Sequence, residues 1–257
     1  MFTAQEILAL HERFRSKVNT LFPSRVRELT QMYNELDDDD RLLSPASSVE
    51  HFHNAFPGGY MDHVLRVVDY SEREYHRWKE DGLLTDNFDL EELLFAAFHH
   101  DLGKLGLPGK GNVLFVPNTS DWHVKNQGKI YVTNPALPHA VDADTSLFLL
   151  QHYGIKMTWQ EQYAIRVHGG PYDKINEPYN FTFWADNKPK TNIGTILHYA
   201  DLKATRFEFE RWAKKTGKVT MLGQMPKAPV AKSEPVKTNV KTGSEAVDAM
   251  FSDFFKQ

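Results

Sequence analysis

The chain has no cysteine among its 257 residues. Disulfide frameworks, thiolate metal sites and cysteine nucleophiles are therefore excluded. It also lacks a long apolar run. The N-terminal stretch MFTAQEILALHERFRSKV interleaves charges with apolar residues, unlike a signal peptide or a membrane span. There is no basic excess either: the net charge is −4, which gives no global signal for nucleic acid. A cytoplasmic setting without a membrane partner is the expectation. What is present is a 41 % hydrophobic content, enough for a real core, and twelve histidines that have to be placed.

Apolar residues recur at helical spacing along most of the chain, so an all-α bundle is predicted. Thr3 and Glu6 form a capping-box signature ahead of Ile7, Phe14 and Val18. Pro23 breaks that pattern, and Val26, Leu29, Met32, Tyr33 and Leu36 resume it. Further helices are expected from Tyr60 to about Lys79, Leu90 to His100, 139 to 153, 158 to 168, and Asn192 to about Lys215. Residues 107–138 differ in kind. Their Pro, Gly and Asn, with the β-prone pieces VLFV and KIYV, read as an inserted loop holding a short hairpin. After residue 216 the composition turns to Pro, Lys, Val and Thr without periodicity, which reads as a flexible basic linker over 217–245. A short apolar peptide, 246–257, closes the sequence.

The stretch FHHDLGKLG, residues 98–106, places His100 and Asp101 at the end of a strongly apolar helix. An imidazole nitrogen and a carboxylate oxygen side by side suit a borderline first-row metal. A single His-Asp pair is weak evidence, but it has company. His63 lies among the core-like Val64, Leu65, Val67 and Val68. His139 opens the helix that follows the insert, and His168 ends the next helix. Asp201 sits on an apolar turn of the last one, where a carboxylate is costly to bury unless paired or coordinating.

In this order, His63, His100-Asp101, His139, His168 and Asp201 resemble the HD superfamily of metal-dependent phosphohydrolases. FHNAFPGGYMDHVLRVV, FAAFHHDLGKLG, VHGGPYD and ILHYADLKATRFE are similar to successive motif blocks of the branch containing bacterial 3′-to-5′ exoribonucleases. The resemblance spans roughly residues 50–210, excludes the insert, and implies an HD-type domain over 1–216. It implies that His63, His100, Asp101 and Asp201 hold one divalent ion, with His139 and His168 holding a second in dinuclear members. Mn, Mg, Fe, Ni or Co would serve. The implied reaction is hydrolysis of a nucleotide or nucleic-acid end by metal-bound hydroxide, with Lys104 facing the substrate phosphate. As a mononuclear alternative, a 5′-nucleotidase or dNTP triphosphohydrolase branch needs only four ligands, and the remaining histidines contact substrate.

Around this set, His53 lies just before the Gly58-Gly59 turn and is a candidate to line the pocket. In the insert, Trp122 and Lys125 could stack on a base and hold phosphate, or belong to a self-contained hairpin. Arg206 flanks Asp201. At the C-terminus, Asp248, Phe251, Phe254 and Phe255 follow the spacing of an aromatic anchor on one helical turn. This resembles sliding-clamp-binding peptides and the acidic-aromatic C-termini of clamp-bound bacteriophage proteins, with Asp248 where glutamine is usual. It implies a DNA sliding clamp as partner and a bacterial host cytoplasm; the competing expectation is a C-terminal helix folded back on the domain. A non-catalytic HD scaffold that recruits the clamp is the alternative from a different class.

Overall fold

The computed structural model describes residues 2–37, 41–181 and 189–217, the side chains of 180 and 181 excepted. The expected linker beyond Gly217 and the peptide carrying Asp248, Phe251, Phe254 and Phe255 lie outside the described residues. The described part is an all-α bundle with one two-stranded hairpin. None of its helices is long and apolar enough to cross a membrane.

Helix α1 (Ala4–Leu21) begins as its capping box dictates. The Thr3 hydroxyl accepts from the Glu6 amide at 3.2 Å, and the Glu6 carboxylate accepts from the Thr3 amide at 2.7 Å. Pro23 opens a 3₁₀ turn that redirects the chain into α2 (Val26–Asp37). Helix α3 (Gly59–Glu80) starts after a turn in which Gly59 presses against the Asn54 carbonyl, where a side chain would collide. Helix α4 (Leu90–His99) is capped by Asp89 and Glu92 in a second capping box. Helices α6 (Asp142–His152), α7 (Trp159–Val167) and α9 (Ile193–Thr216) complete the bundle, with the short α8 (Glu177–Phe181) between the last two.

The bundle is organised around α4. Every residue from Leu93 to His99 is buried. Helix α3 packs on one side of it and α7 on another, while α9 touches α3, α4 and α7. Ala96 and Ala97 keep the middle of α4 thin, and the aromatics at its edges fill the core. Phe14 meets Phe98 at 4.6 Å, Tyr33 at 5.3 Å and Tyr60 at 6.0 Å between ring centroids. Thus α1 and α2 form a lid of aromatic contacts over the α3–α4 pair.

Two boundaries differ from those the sequence suggests. The insert is more than a loop with a hairpin: strands β1 (Phe115–Pro117) and β2 (Tyr131–Thr133) pair antiparallel, Val116 opposite Val132, and the seven-residue helix α5 (Asp121–Gln127) fills the connection. Its sequence, DWHVKNQ, has too little apolar periodicity to announce a helix, and none of its residues is buried. The helix after the insert begins at Asp142 and not at His139, because the backbone of Val141 is extended and serves as its N-cap.

Phe14 is fully buried at the junction of α1, α2, α3 and α4. Phe14→Ala is expected to cost about 3–5 kcal/mol, measured as a lower urea midpoint in equilibrium unfolding.

Candidate metal centre

The centre forms where helix ends converge on the inner face of α3. His63 points inward from the second turn of α3, between Tyr60 and Val67, and is fully buried. His100 is the C-cap of α4, and Asp101 leaves the helix into a 3₁₀ turn, Leu102–Leu105. His168 is the C-cap of α7, and Asp201 projects from α9. The turn after Asp101 is pinned to α6. Ser146 accepts from the Gly103 amide at 2.8 Å and donates to the His100 carbonyl at 2.9 Å. Gly103 has no room for a side chain, which would collide with the Asp142 carbonyl.

Each inward imidazole is held from behind. The Nδ1 atoms of His100 and His168 lie 2.8 and 2.7 Å from the carbonyls of Ala97 and Ile165, and that of His63 lies 3.2 Å from Glu208. A carbonyl accepts only from N–H, so His100 and His168 carry their protons on Nδ1 and turn bare Nε2 atoms inward. The Nε2 atoms of His63 and His100 are buried and have no hydrogen-bond partner. His63 Nε2 stands 3.2 Å from Asp201 Oδ1 and 3.4 Å from Asp101 Oδ2; His100 Nε2 is also 3.4 Å from Asp101 Oδ2. His168 Nε2 faces the other oxygen, Oδ1, at 3.7 Å. Metal–ligand bonds of about 2.0–2.1 Å imply ligand–ligand edges of roughly 3.0–3.4 Å around an octahedral or tetrahedral ion. The separations around His63 and His100 match those edges, so the donor set fits a divalent cation.

Among the described residues, three groups could hold an ion: His63, His100 and Asp201; His100, Asp101 and His168; and His53, His63 and Asp101. Within each, the ligand atoms lie within 4.8 Å of one another. The groups share members, and Asp101 belongs to two of them. Lys104 also reaches in: its ammonium is 2.7 Å from Asp101 Oδ2 and 3.4 Å from His53 Nε2.

Electrostatics follow from this packing. Burial alone would raise the Asp101 carboxyl, but Lys104 and His100 outweigh it and hold it well below the ordinary carboxylate range. Asp201 is partly buried, and its contact with His63 lowers it against the cost of burial. Burial opposes charge on His63, yet Glu208, Asp101 and Asp201 together raise it well above an ordinary imidazole. Burial and the Lys104 charge push His53 well down. The neighbouring His99 turns the opposite way, into Phe22, Tyr33, Phe95 and Phe98, and burial drives its pKa to about 3. It is a neutral core residue.

Of the residues singled out in the sequence, the structure brings together His53, His63, His100, Asp101, Lys104, His168 and Asp201. His139 is exposed before α6 and belongs to none of the three groups. Trp122 and Lys125 sit exposed on α5, with Lys125 3.7 Å from Asp121, and Arg206 is exposed on α9. The sequence reading missed Glu208, Ser146 and His198. Glu208 lies seven residues after Asp201, two helical turns along the same face, and that spacing could have found it. His198 donates from Nδ1 to the His168 carbonyl at 2.9 Å, and Gly170 leaves the space its ring needs.

Comparison with protein-family models, with curated proteins and with solved structures returned no match. The fold and the cluster therefore speak for themselves: an all-helical protein with an HD-like His/Asp site, able to coordinate a divalent metal and consistent with metal-dependent hydrolase chemistry.

Metal-free protein should show a bell-shaped stability profile. The depressed Asp101 and Asp201 contribute stability that is present above about pH 4 and is lost as the pH falls toward their folded values. The raised His63 contributes stability that is complete below about pH 6.5 and is lost as the pH rises through its folded pKa. Thermal melts in a chelator should be highest between these limits. Added Mn²⁺ should raise Tm more at pH 8 than at pH 5.5, since protons and metal compete for the same atoms.

Proposed function

We propose that the protein is a metal-dependent phosphohydrolase whose substrate is a nucleotide or a nucleic-acid end. The observation that carries this reading is the pair of buried, unpartnered Nε2 atoms of His63 and His100 aimed at the Asp101 and Asp201 carboxylates. A buried polar atom without a partner is costly, and two such nitrogens, each within 3.4 Å of a carboxylate oxygen, have an obvious common ligand.

In this reading His63, His100, Asp101 and Asp201 hold the ion, and His168 lies beside it. A divalent ion there supplies Lewis acidity toward a phosphoryl oxygen and lowers the pKa of water. The chain's own groups do the rest. Lys104, largely buried and kept charged by Asp101, supplies a fixed cation where phosphate negative charge has to be neutralised. His53, held neutral, contributes a hydrogen-bonding group at the same wall. The hydrophobic bundle behind His100 and Asp101 keeps bulk water from competing for the bare nitrogens.

A mononuclear nucleotidase or dNTP triphosphohydrolase is the second reading. It is favoured by two placements: His139 lies away from the cluster, and the Lys104 ammonium already neutralises Asp101 Oδ2. The two oxygens of Asp101 face different histidines, an arrangement that would suit a second ion held with His168. Elemental analysis of the purified protein, reconstituted with Mn²⁺, decides between one ion and two.

The expected outcome of the functional test is Mn²⁺-dependent hydrolysis of bis-p-nitrophenyl phosphate or p-nitrophenyl phosphate, followed at 405 nm, about the usual wavelength for released nitrophenolate. The double substitution His100→Ala with Asp101→Ala should abolish metal uptake and reduce turnover to background, while far-UV circular dichroism stays helical. Turnover surviving in that variant refutes the proposal.

A further inference from the structure

We infer that Glu208 is a positioning residue for the centre: it fixes the ring of His63 so that Nε2 is presented to the ion, and ties that ring to the loop that carries His53. The inference rests on the metal-centre reading above.

The three inward histidines do not face the same local problem. His100 and His168 are C-caps, and the carbonyls three residues before them, Ala97 and Ile165, belong to the last helical turn, which lacks intrahelical partners. Their Nδ1–H groups are satisfied by their own helices. His63 lies in a continuing helix, where the carbonyls of the preceding turn accept from amides of the helix ladder. Its Nδ1 is held by another element: Glu208 is its partner, with both carboxylate oxygens 3.2–3.3 Å away.

Without Glu208 the ring would have only acceptors on its other side. Asp201 Oδ1 and Asp101 Oδ2 lie 3.2 and 3.4 Å from Nε2. A neutral imidazole would then place its proton on Nε2, the atom the ion needs. Glu208 draws the proton to Nδ1, and a carboxylate behind a ligating imidazole also raises its basicity.

Glu208 is itself held. It is 1 % exposed, and Arg66 Nε donates to Oε1 at 3.1 Å. Arg66 also reaches Asp62 at 2.8 and 3.0 Å. Asp62 Oδ2 in turn accepts from Arg211 at 2.7 Å and from the Asn54 amide group at 2.9 Å. Arg211 donates again to Asn54 Oδ1 at 2.7 Å. Asn54 has a left-handed backbone, φ 46°, and directly follows His53. One polar chain therefore runs from His63 through Glu208, Arg66 and Asp62 to the residue that aims His53 into the cluster.

The test uses the full chain and two substitutions. Glu208→Leu removes the acceptor at similar volume, and Arg66 keeps Asp62 as its partner. Glu208→Gln retains an uncharged acceptor and serves if the leucine variant does not fold. In metal-free wild type, NMR should show a downfield, exchange-protected imidazole N–H from His63 Nδ1, bonded to Glu208. That resonance should vanish in Glu208→Leu and move upfield in Glu208→Gln. The Kd for Zn²⁺, measured by calorimetry, should weaken about 10–100-fold in Glu208→Leu and by less in Glu208→Gln. A folded variant that binds Zn²⁺ within twofold of wild type, or keeps the resonance unchanged, overturns the inference. If wild type takes up no ion, the metal-centre reading fails and the inference with it; if wild type binds Zn²⁺ and the folded Glu208→Leu binds as tightly, the role of Glu208 alone is overturned.

Discussion

Placing a carboxylate at the inner end of the most apolar helix is the constraint from which the rest of the arrangement follows. Asp101 closes α4 at 3 % exposure. A lone ionised carboxylate there would be several kcal/mol unfavourable, at least. It is tolerated because cationic groups stand beside it: Lys104, from the following turn, places its ammonium 2.7 Å away, and His63, raised toward its charged form, reaches it from α3 at 3.4 Å. Conversely, those groups are themselves costly to bury without Asp101. The centre is a mutually dependent set, and the packing of α3, α4, α7 and α9 is the condition for its existence.

The same dependence explains the small residues nearby. The chain has to leave α4 immediately after Asp101, without carrying the carboxylate out to solvent. A 3₁₀ turn does this in four residues, and Gly103 lets that turn lie directly on α6. Ser146 then satisfies the Gly103 amide and the His100 carbonyl, the backbone groups that a terminated helix leaves open. The HGG sequence after α7 solves a related problem. Gly170 gives way to the His198 ring, which donates to the carbonyl of His168 and so steadies the end of that helix.

The helical fold was legible in the sequence because periodicity and capping agree there. Thr3 with Glu6 and the apolar rows of α3 and α4 say the same thing at two levels. The polar members of the cluster were legible for the opposite reason: His63, His100, Asp101, His168 and Asp201 interrupt apolar rows where a polar group needs an explanation. His139 shows the limit of that argument. It precedes Asp142 in sequence but interrupts no buried face, since the helix starts three residues later. Helix α5 was illegible because its stability does not come from an apolar stripe. Its C-terminal end is set by Gly128 in a left-handed conformation, and Asn118 and Ser120 shape the approach.

The groups behind the cluster were hidden for a different reason. Glu208, Arg66, Asp62 and Arg211 are charged residues on helices, and such residues usually face solvent. Their spacing is nonetheless informative once one buried partner is known. Arg66 follows His63 by three residues, and Glu208 follows Asp201 by seven, so each lies along the face already turned inward. His53 was a candidate only through its position before the Gly58-Gly59 turn and not through periodicity, because its place depends on the left-handed backbone of Asn54 and on the close approach of Gly59 to that loop. Periodicity describes which face of an element is buried. It does not describe the loop geometry that sends a side chain from outside an element into the same site, and here both kinds of residue meet at one point.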